Sequence, residues 1–253
     1  MGEATLRLYS DLAWLWPLWG DPSNYAPWCD AAAQLIRQHS LIASRTVLNL
    51  ACGGGKNAFN LKRHFEVTGV DRSPQMLDNA RKLNPECTFL QVDMLNCSLG
   101  QQFDSVFVDD AVEGMTQSEL AAVFQTAFKH LRPGGVMVVS PGTAVPREKF
   151  EQNRTRVSRA VSSLKPANID VVFIENDYDP DPTDNTYEFT IVYLIRENGK
   201  LQVEVDREIE TFLSLDAWRE AIREAGFEIH DGSLIEDGEP SLLLACVKPI
   251  AGT

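Results

Sequence analysis

Between residues 47 and 140 short apolar runs alternate with amphipathic stretches. Val47–Leu50, Glu66–Val70, Thr88–Val92, Phe103–Val108 and Val136–Ser140 are brief and rich in β-branched or aromatic residues, which predicts strands. Helices are predicted between them, over roughly Lys56–His64, from the Ser73-Pro74 cap to about Leu83, and from the capping box Thr116-Gln117-Ser118-Glu119 to about Leu131. Arg132-Pro133-Gly134-Gly135 stops the last of these. Strands and helices alternating at this length imply a parallel sheet with right-handed crossovers.

The pattern changes on either side of this block. Asp30–Ser40 has helical spacing, with Ala31, Leu35 and Ile36 on one face. After Pro141 the alternation stops. Residues 147–164 are expected to form a polar helix, and three β-like runs follow: Ile169–Ile174, Tyr187–Ile195 and Leu201–Phe212. Glu197-Asn198-Gly199-Lys200 joins the last two as an Asn-Gly hairpin. Ser214 caps a helix ending at Gly226, and Phe227–Ile229 and Leu242–Val247 read as closing strands. The expected fold is α/β: a Rossmann-like, mostly parallel sheet with helices on both faces and a small inserted antiparallel β cap. The expected division is an N-terminal helical and aromatic cover (1–45), a core (46–145 and 213–250) and the cap (146–212).

Composition narrows the function. The chain has 253 residues, of which 44% are hydrophobic, enough for a full core. Its formal net charge of -13 argues against binding a nucleic-acid backbone and suits a neutral or cationic small substrate. No apolar run spans a bilayer and no signal segment opens the chain, so no membrane is expected and the cytoplasm is the expected compartment. Cys29, Cys52, Cys87, Cys97 and Cys246 are scattered, as are the histidines, and no metal site is expected. Asp177, Asp179, Asp181, Asn185 and Glu188 have the ligand spacing of a calcium loop, but Pro182 takes the glycine position, so a connection between cap strands is expected. Trp14, Trp16, Trp19 and Trp28 crowd the first segment, where Pro17, Pro22 and Pro27 break it into short pieces. Packing accounts for most of these rings. Tyr9, Trp19 and Tyr25 are candidates for a lid over a ligand.

The chemistry concentrates where the first strand meets a glycine turn, Val47-Leu48-Asn49-Leu50-Ala51-Cys52-Gly53-Gly54-Gly55, with Asp71 ending the next strand. Glycines let a ligand approach the backbone, and a carboxylate at that distance holds ribose hydroxyls. A phosphate-binding loop is ruled out by Leu50 at its first glycine position and Asn57 after Lys56. Gly53-Gly54-Gly55-Lys56-Asn57-Ala58 fits a dinucleotide fingerprint, which keeps an NAD-dependent oxidoreductase as an alternative.

The ordered set of motifs resembles the class I S-adenosylmethionine-dependent methyltransferases. Gly53 and Gly55 match the first motif, while Asn49 stands for its acidic residue and Ala51 for its first glycine. Gly69-Val70-Asp71-Arg72-Ser73-Pro74-Gln75-Met76-Leu77 resembles the second strand and its helix. Gln91-Val92-Asp93-Met94 resembles the adenine-binding turn, Phe103–Asp110 the fourth motif, and Leu131–Gly135 the turn into the fifth strand. The resemblance implies a seven-stranded sheet with an antiparallel last strand and S-adenosyl-L-methionine as cofactor. It implies that Asn49, Ala51, Gly53, Gly55, Asp71, Arg72, Met76, Asp93, Met94 and Asp109 hold that cofactor. Tyr178 through Phe212 more loosely resembles the cap of small-molecule methyltransferases, including those that methylate sugar amines.

Methyl transfer from a sulfonium is an in-line displacement, for which the protein aligns the acceptor and receives its proton. The segment after the fourth strand is best placed for this, so Asp109, Asp110 and Glu113 are the candidate catalytic groups. Trp19, Tyr25, Met115 and Tyr178 are candidates for contacting a small-molecule acceptor on N or O. Asn49 lacks the charge that would pair with the cofactor's amine and keeps a non-catalytic binding protein as a further alternative. A cap sheet could pair across a homodimer.

Overall fold

The computed structural model describes residues 6–141, 147, 150–162, 169–236 and 239–250. One sheet contains β1 (Thr46–Leu50), β2 (Glu66–Asp71), β3 (Thr88–Gln91), β4 (Phe103–Val108), β5 (Leu131–Val139), β10 (Glu228–Glu236) and β11 (Glu239–Val247). Its strand order is β10-β11-β5-β4-β1-β2-β3. Neighbours from β5 to β3 are parallel, and β11 runs antiparallel to both β5 and β10. The expected seven-stranded sheet with an antiparallel strand is therefore present.

Helices cover both faces because the central strands are apolar on both sides. β4 is buried along its whole length. On one face α4 (Gln117–His130) and α5 (Leu215–Glu224) bring Leu120, Val123, Phe124, Trp218 and Ile222 against Leu48, Leu50, Val106 and Val108. On the other, α1 (Ala26–His39), α2 (Lys56–Leu61) and α3 (Pro74–Leu83) bring Ala32, Ile36, Ala58, Leu61 and Leu77 against Val47, Phe107, Val136 and Val138. The capping box at Thr116 and Glu119 forms as expected, and Ser73 caps α3 by accepting from the Met76 N–H at 3.1 Å. The Arg132–Gly135 stretch is not a free turn: β5 starts at Leu131, and a register shift against β4 between Phe103 and Ser105 absorbs the glycines.

The second sheet has the order β6-β7-β8-β9, all antiparallel: β6 (Arg154–Ser162), β7 (Ile169–Tyr178), β8 (Thr186–Glu197) and β9 (Lys200–Thr211). β6 corrects the helix expected over 147–164. Arginines mask its two-residue period because they pair across the strands, Arg156 with Glu175 and Asp177, and Arg159 with Asp170. The sheet's inner face carries Val171, Phe173, Ile191, Tyr193 and Ile195, which pack on Leu6, Leu8, Leu12 and Leu15 of the N-terminal segment. That segment consists of short 3-10 turns as far as Tyr25, as its prolines require.

Candidate active site

The glycine turn takes its shape from three residues with positive φ: Ala51 (48°), Gly53 (51°) and Gly55 (82°). A side chain at Gly55 would meet Asn84 Nδ2 at 2.7 Å and Ala80 Cα at 2.9 Å, so this glycine lets α3 approach the turn. Asn84 Nδ2 donates to the Gly55 carbonyl at 2.8 Å and holds the approach. Ala51 adopts a backbone conformation in which its methyl costs about 1 kcal/mol, at the position where the family motif has glycine.

Asp71 joins the turn to the end of β2. Its Oδ2 accepts the Gly53 N–H and its Oδ1 the Ser73 N–H, both at 2.8 Å. A carboxylate has about four acceptor positions, so acceptor capacity remains beside these backbone donors. Burial raises the Asp71 pKa, against the opposing pull of these backbone donors. Asp93, beyond β3, accepts the Leu95 N–H at 2.9 Å and shapes the next loop. Met76 approaches the turn, with its Cε 3.4 Å from a side-chain carbon built at Gly53. Met94 packs against the core and Arg72 is exposed. Asn49 is 1% exposed and its Nδ2 has no partner. These residues fit a nucleoside cofactor with an amino-acid end: a cradle that a Cβ would fill, a half-buried carboxylate with acceptor capacity to spare, and an orphaned polar group.

Asp109 follows β4 and accepts from Asn57 Nδ2 at 2.6 Å, with Cys29 Sγ 3.5 Å from Asn57 Oδ1. The Asp110 side chain lies outside the described residues. The loop then meets the cap, where Gly114 accepts the Thr211 N–H at 2.9 Å and packs against the Glu210 side chain. Strand alternation puts Tyr187, Glu210 and Asp177 on the same inner face. The Tyr187 hydroxyl donates to Glu210. Its pKa is raised first by burial and then by the negative charges of Glu210, Glu113 and Asp177. Glu113 is thus within electrostatic reach of an acidic end of the cap.

The N-terminal segment lies over the glycine turn. A methyl group built at Gly54 would run into Cδ1 and Nε1 of Trp16, and Trp16 Nε1 is buried without a partner. Trp16 packs edge-on against Trp19, whose ring stacks on Phe173 at 5.4 Å. Trp19 also accepts from Lys56 Nζ through its carbonyl, and Tyr25 presents its ring to the same ammonium at 5.8 Å. Ser73 Oγ donates to the Tyr9 carbonyl at 2.5 Å.

Two acceptor candidates lie elsewhere. Met115 packs against the core. Tyr178 falls in the outward register of β7 with Val172 and Ile174 and is 41% exposed, which corrects its assignment to a pocket. Tyr187 lies on the inner register of β8 and packs against Phe150 and Phe212. In the calcium-like stretch, Asp177 pairs with Arg154 and Arg156, and Asp179 with Arg147. Sequence reasoning passed over Trp16, Lys56, Asn57 and Glu210. Only the two-residue alternation of β9 could have signalled Glu210.

Residues 47–135 match the family model described as a methyltransferase domain. The dTDP-3-amino-3,4,6-trideoxy-alpha-D-glucopyranose N,N-dimethyltransferase of Streptomyces venezuelae is 35% identical over 125 residues, covering 48% of this chain and 52% of that protein. The trans-aconitate 2-methyltransferase of an Azoarcus species is 29% identical over 130 residues, covering 49% and 50%. The chain thus spans about half the length of the curated relatives it matches. The solved structure of Streptomyces venezuelae DesVI superposes with a TM-score of 0.76 at 25% identity, covering 95% of this chain and 96% of that one, cap included. With its strand order, glycine turn and Asp71 in place, the chain carries over residues 47–135 a segment that matches the methyltransferase-domain family.

Proposed function

We propose that this chain transfers a methyl group from S-adenosylmethionine to the amine of a small, sugar-like acceptor. The observation that carries this reading is the inner end of the cap beside the loop after β4, where the Tyr187 hydroxyl donates to Glu210 and Glu113 lies within electrostatic reach of the same ring. Clustered negative charge attracts an ammonium and disfavours both a carboxylate substrate and an alkoxide. It therefore favours N over O transfer, and an amino sugar over a polyacid. The likeness to an amino-sugar dimethyltransferase supports the same choice.

The cofactor supplies a methyl group already activated on sulfur. In this reading Asp71 holds the ribose, Asp93 and the Met94 N–H meet the adenine, and Asn57 fixes the Asp109 carboxylate near the transfer point. Glu113 or Asp110 orients the amine and accepts its proton, so that the nitrogen lone pair faces the methyl carbon. The N-terminal cover and the cap sheet close the cleft around the acceptor, with Trp19 and Tyr25 in the wall. The five free cysteines suit a reducing, cytoplasmic setting, and no helix among the described residues is long and apolar enough to cross a membrane.

The proposal extends to a homodimer through the outer face of the cap. Val157, Ile174, Val192 and Val205 form one apolar row across its four strands, and Val157 and Val205 are exposed. An apolar sheet face of this kind favours burial against a second copy. The activity is tested by incubating the chain and S-adenosylmethionine with a 3-amino sugar nucleotide, its 3-hydroxy analogue and trans-aconitate, followed by product masses. Methyl addition to the amine alone is expected. Methylation of the hydroxyl or carboxyl compound with the amine untouched contradicts the reading.

A further inference from the structure

Cys29 is fully buried in α1, and its thiol meets a residue that bears on the cleft. Its Sγ is 3.5 Å from Asn57 Oδ1 and 3.7 Å from the Asn57 carbonyl. Asn57 stands in the first turn of α2, just past Gly55, and its Nδ2 donates to Asp109 Oδ2 at 2.6 Å. Asp109 follows Val108, which pairs with Leu50 in the sheet, so Asp109 sits level with Ala51 at the start of the glycine turn. α1, α2 and the end of β4 thus meet in one chain of hydrogen bonds that ends beside that turn.

Each group in this chain fixes the direction of the next. An ionised carboxylate only accepts, so Asn57 turns its amide nitrogen to Asp109. The amide oxygen then faces Cys29, where only a protonated thiol can donate. Burial raises the Cys29 pKa, the Asp109 and Asp30 charges add to the effect and Arg63 opposes it, so the thiol is a donor at neutral pH. The reversed amide would set a carbonyl oxygen against the carboxylate and an N–H against the thiol proton. The chain therefore has one favourable sense, and each of its bonds polarises the next.

We propose that Cys29 is a positioning residue of the cleft, which fixes the orientation of the Asp109 carboxylate through the Asn57 amide. The proposal rests on the methyltransferase reading above for the ligand that this carboxylate meets. A carboxylate held in one orientation beside the glycine turn attracts the positive sulfonium of S-adenosylmethionine and not the neutral thioether of S-adenosylhomocysteine. If Cys29 only filled space between α1 and α2, its loss would weaken both ligands alike.

The test is the ratio of S-adenosylmethionine to S-adenosylhomocysteine affinity, measured by calorimetry on the full chain. Asp109→Asn is expected to lower the relative preference for the sulfonium about three- to tenfold. Asn57→Ala and Cys29→Ala are expected to lower it in the same direction, about two- to fivefold, while Cys29→Ser keeps a donor and restores the parent ratio. In an Asp109→Asn background neither alanine variant changes the ratio further, because both act through that carboxylate. If Cys29→Ala fails to fold, Cys29→Val removes the donor at closer volume and is measured in its place. A folded donor-free variant with the parent ratio, or one that still shifts the ratio once Asp109 is asparagine, overturns the proposal. If the parent chain binds both ligands and Asp109→Asn leaves the ratio unchanged, the positioning role fails and the methyltransferase reading stands. If the parent chain binds neither ligand, that reading fails and the proposal fails with it.

Discussion

Replacing Asp71 with asparagine tests the nucleoside end of the cleft. Asp71 now accepts two backbone N–H groups at 2.8 Å, from Gly53 and Ser73. An amide nitrogen in place of one oxygen would point a donor at one of those donors, and leaving that buried N–H unpaired costs about 1–3 kcal/mol. Removing a charge that burial already penalises offsets part of this cost, so the fold survives with a modestly lower melting temperature. The ribose loses more. Hydrogen bonds to an ionised group contribute about 1.5–3 kcal/mol, so S-adenosylhomocysteine affinity should fall about 10- to 100-fold in calorimetry at neutral pH. The pH dependence follows from the sign of the shift. The folded-state pKa of Asp71 lies above 3.8, so this group lowers stability above its folded pKa and the penalty lifts as pH falls through it. Cofactor affinity moves the other way, because protonation removes the charged acceptor. In the parent chain affinity should weaken as pH falls through the raised pKa, and in Asp71→Asn that component should vanish. An Asp71→Asn variant that is folded and binds within about threefold of the parent would refute the ribose assignment.

Three further outcomes are expected. Ala51→Gly relieves a positive φ of 48° but loosens the unfolded chain, so a net gain of about 0.5 kcal/mol is expected in thermal melts, and destabilisation would argue against strain there. Glu210→Gln removes charge beside Tyr187 and should raise the KM for an amine acceptor about tenfold while leaving S-adenosylhomocysteine affinity unchanged, whereas equal effects on both would point to a purely structural role. Val205→Glu on the outer cap face should convert a sedimenting dimer to a monomer without loss of fold, and a parent chain that sediments as a monomer at all concentrations contradicts the interface.

The residues legible in the sequence are those that backbone geometry fixes. Gly53, Gly55 and Asp71 occupy strand ends where an open α/β sheet places its crevice, so short spacings were enough to bring them together. Side chains whose partners are distant in sequence were not legible. Lys56 meets Trp16 and Trp19 across a span that no motif links, and Asn57 meets Asp109 in the same way. Strand parity decided the tyrosines. Tyr178 and Tyr187 are equally aromatic, but one falls in the outward register of β7 and the other in the inward register of β8. β6 was read as a helix because its arginines neutralise Glu175, Asp177 and Asp170 on a neighbouring strand, a pairing that local periodicity cannot register.

The most direct test of the central claim is a calorimetric titration of the intact chain with S-adenosylhomocysteine beside NADH. The glycine turn alone fits either ligand, whereas Asp71, Asp93 and Asp109 around it are those expected of a methyltransferase. Saturable binding of S-adenosylhomocysteine with no heat from NADH is the predicted result. Binding of NADH with none of S-adenosylhomocysteine would contradict the account.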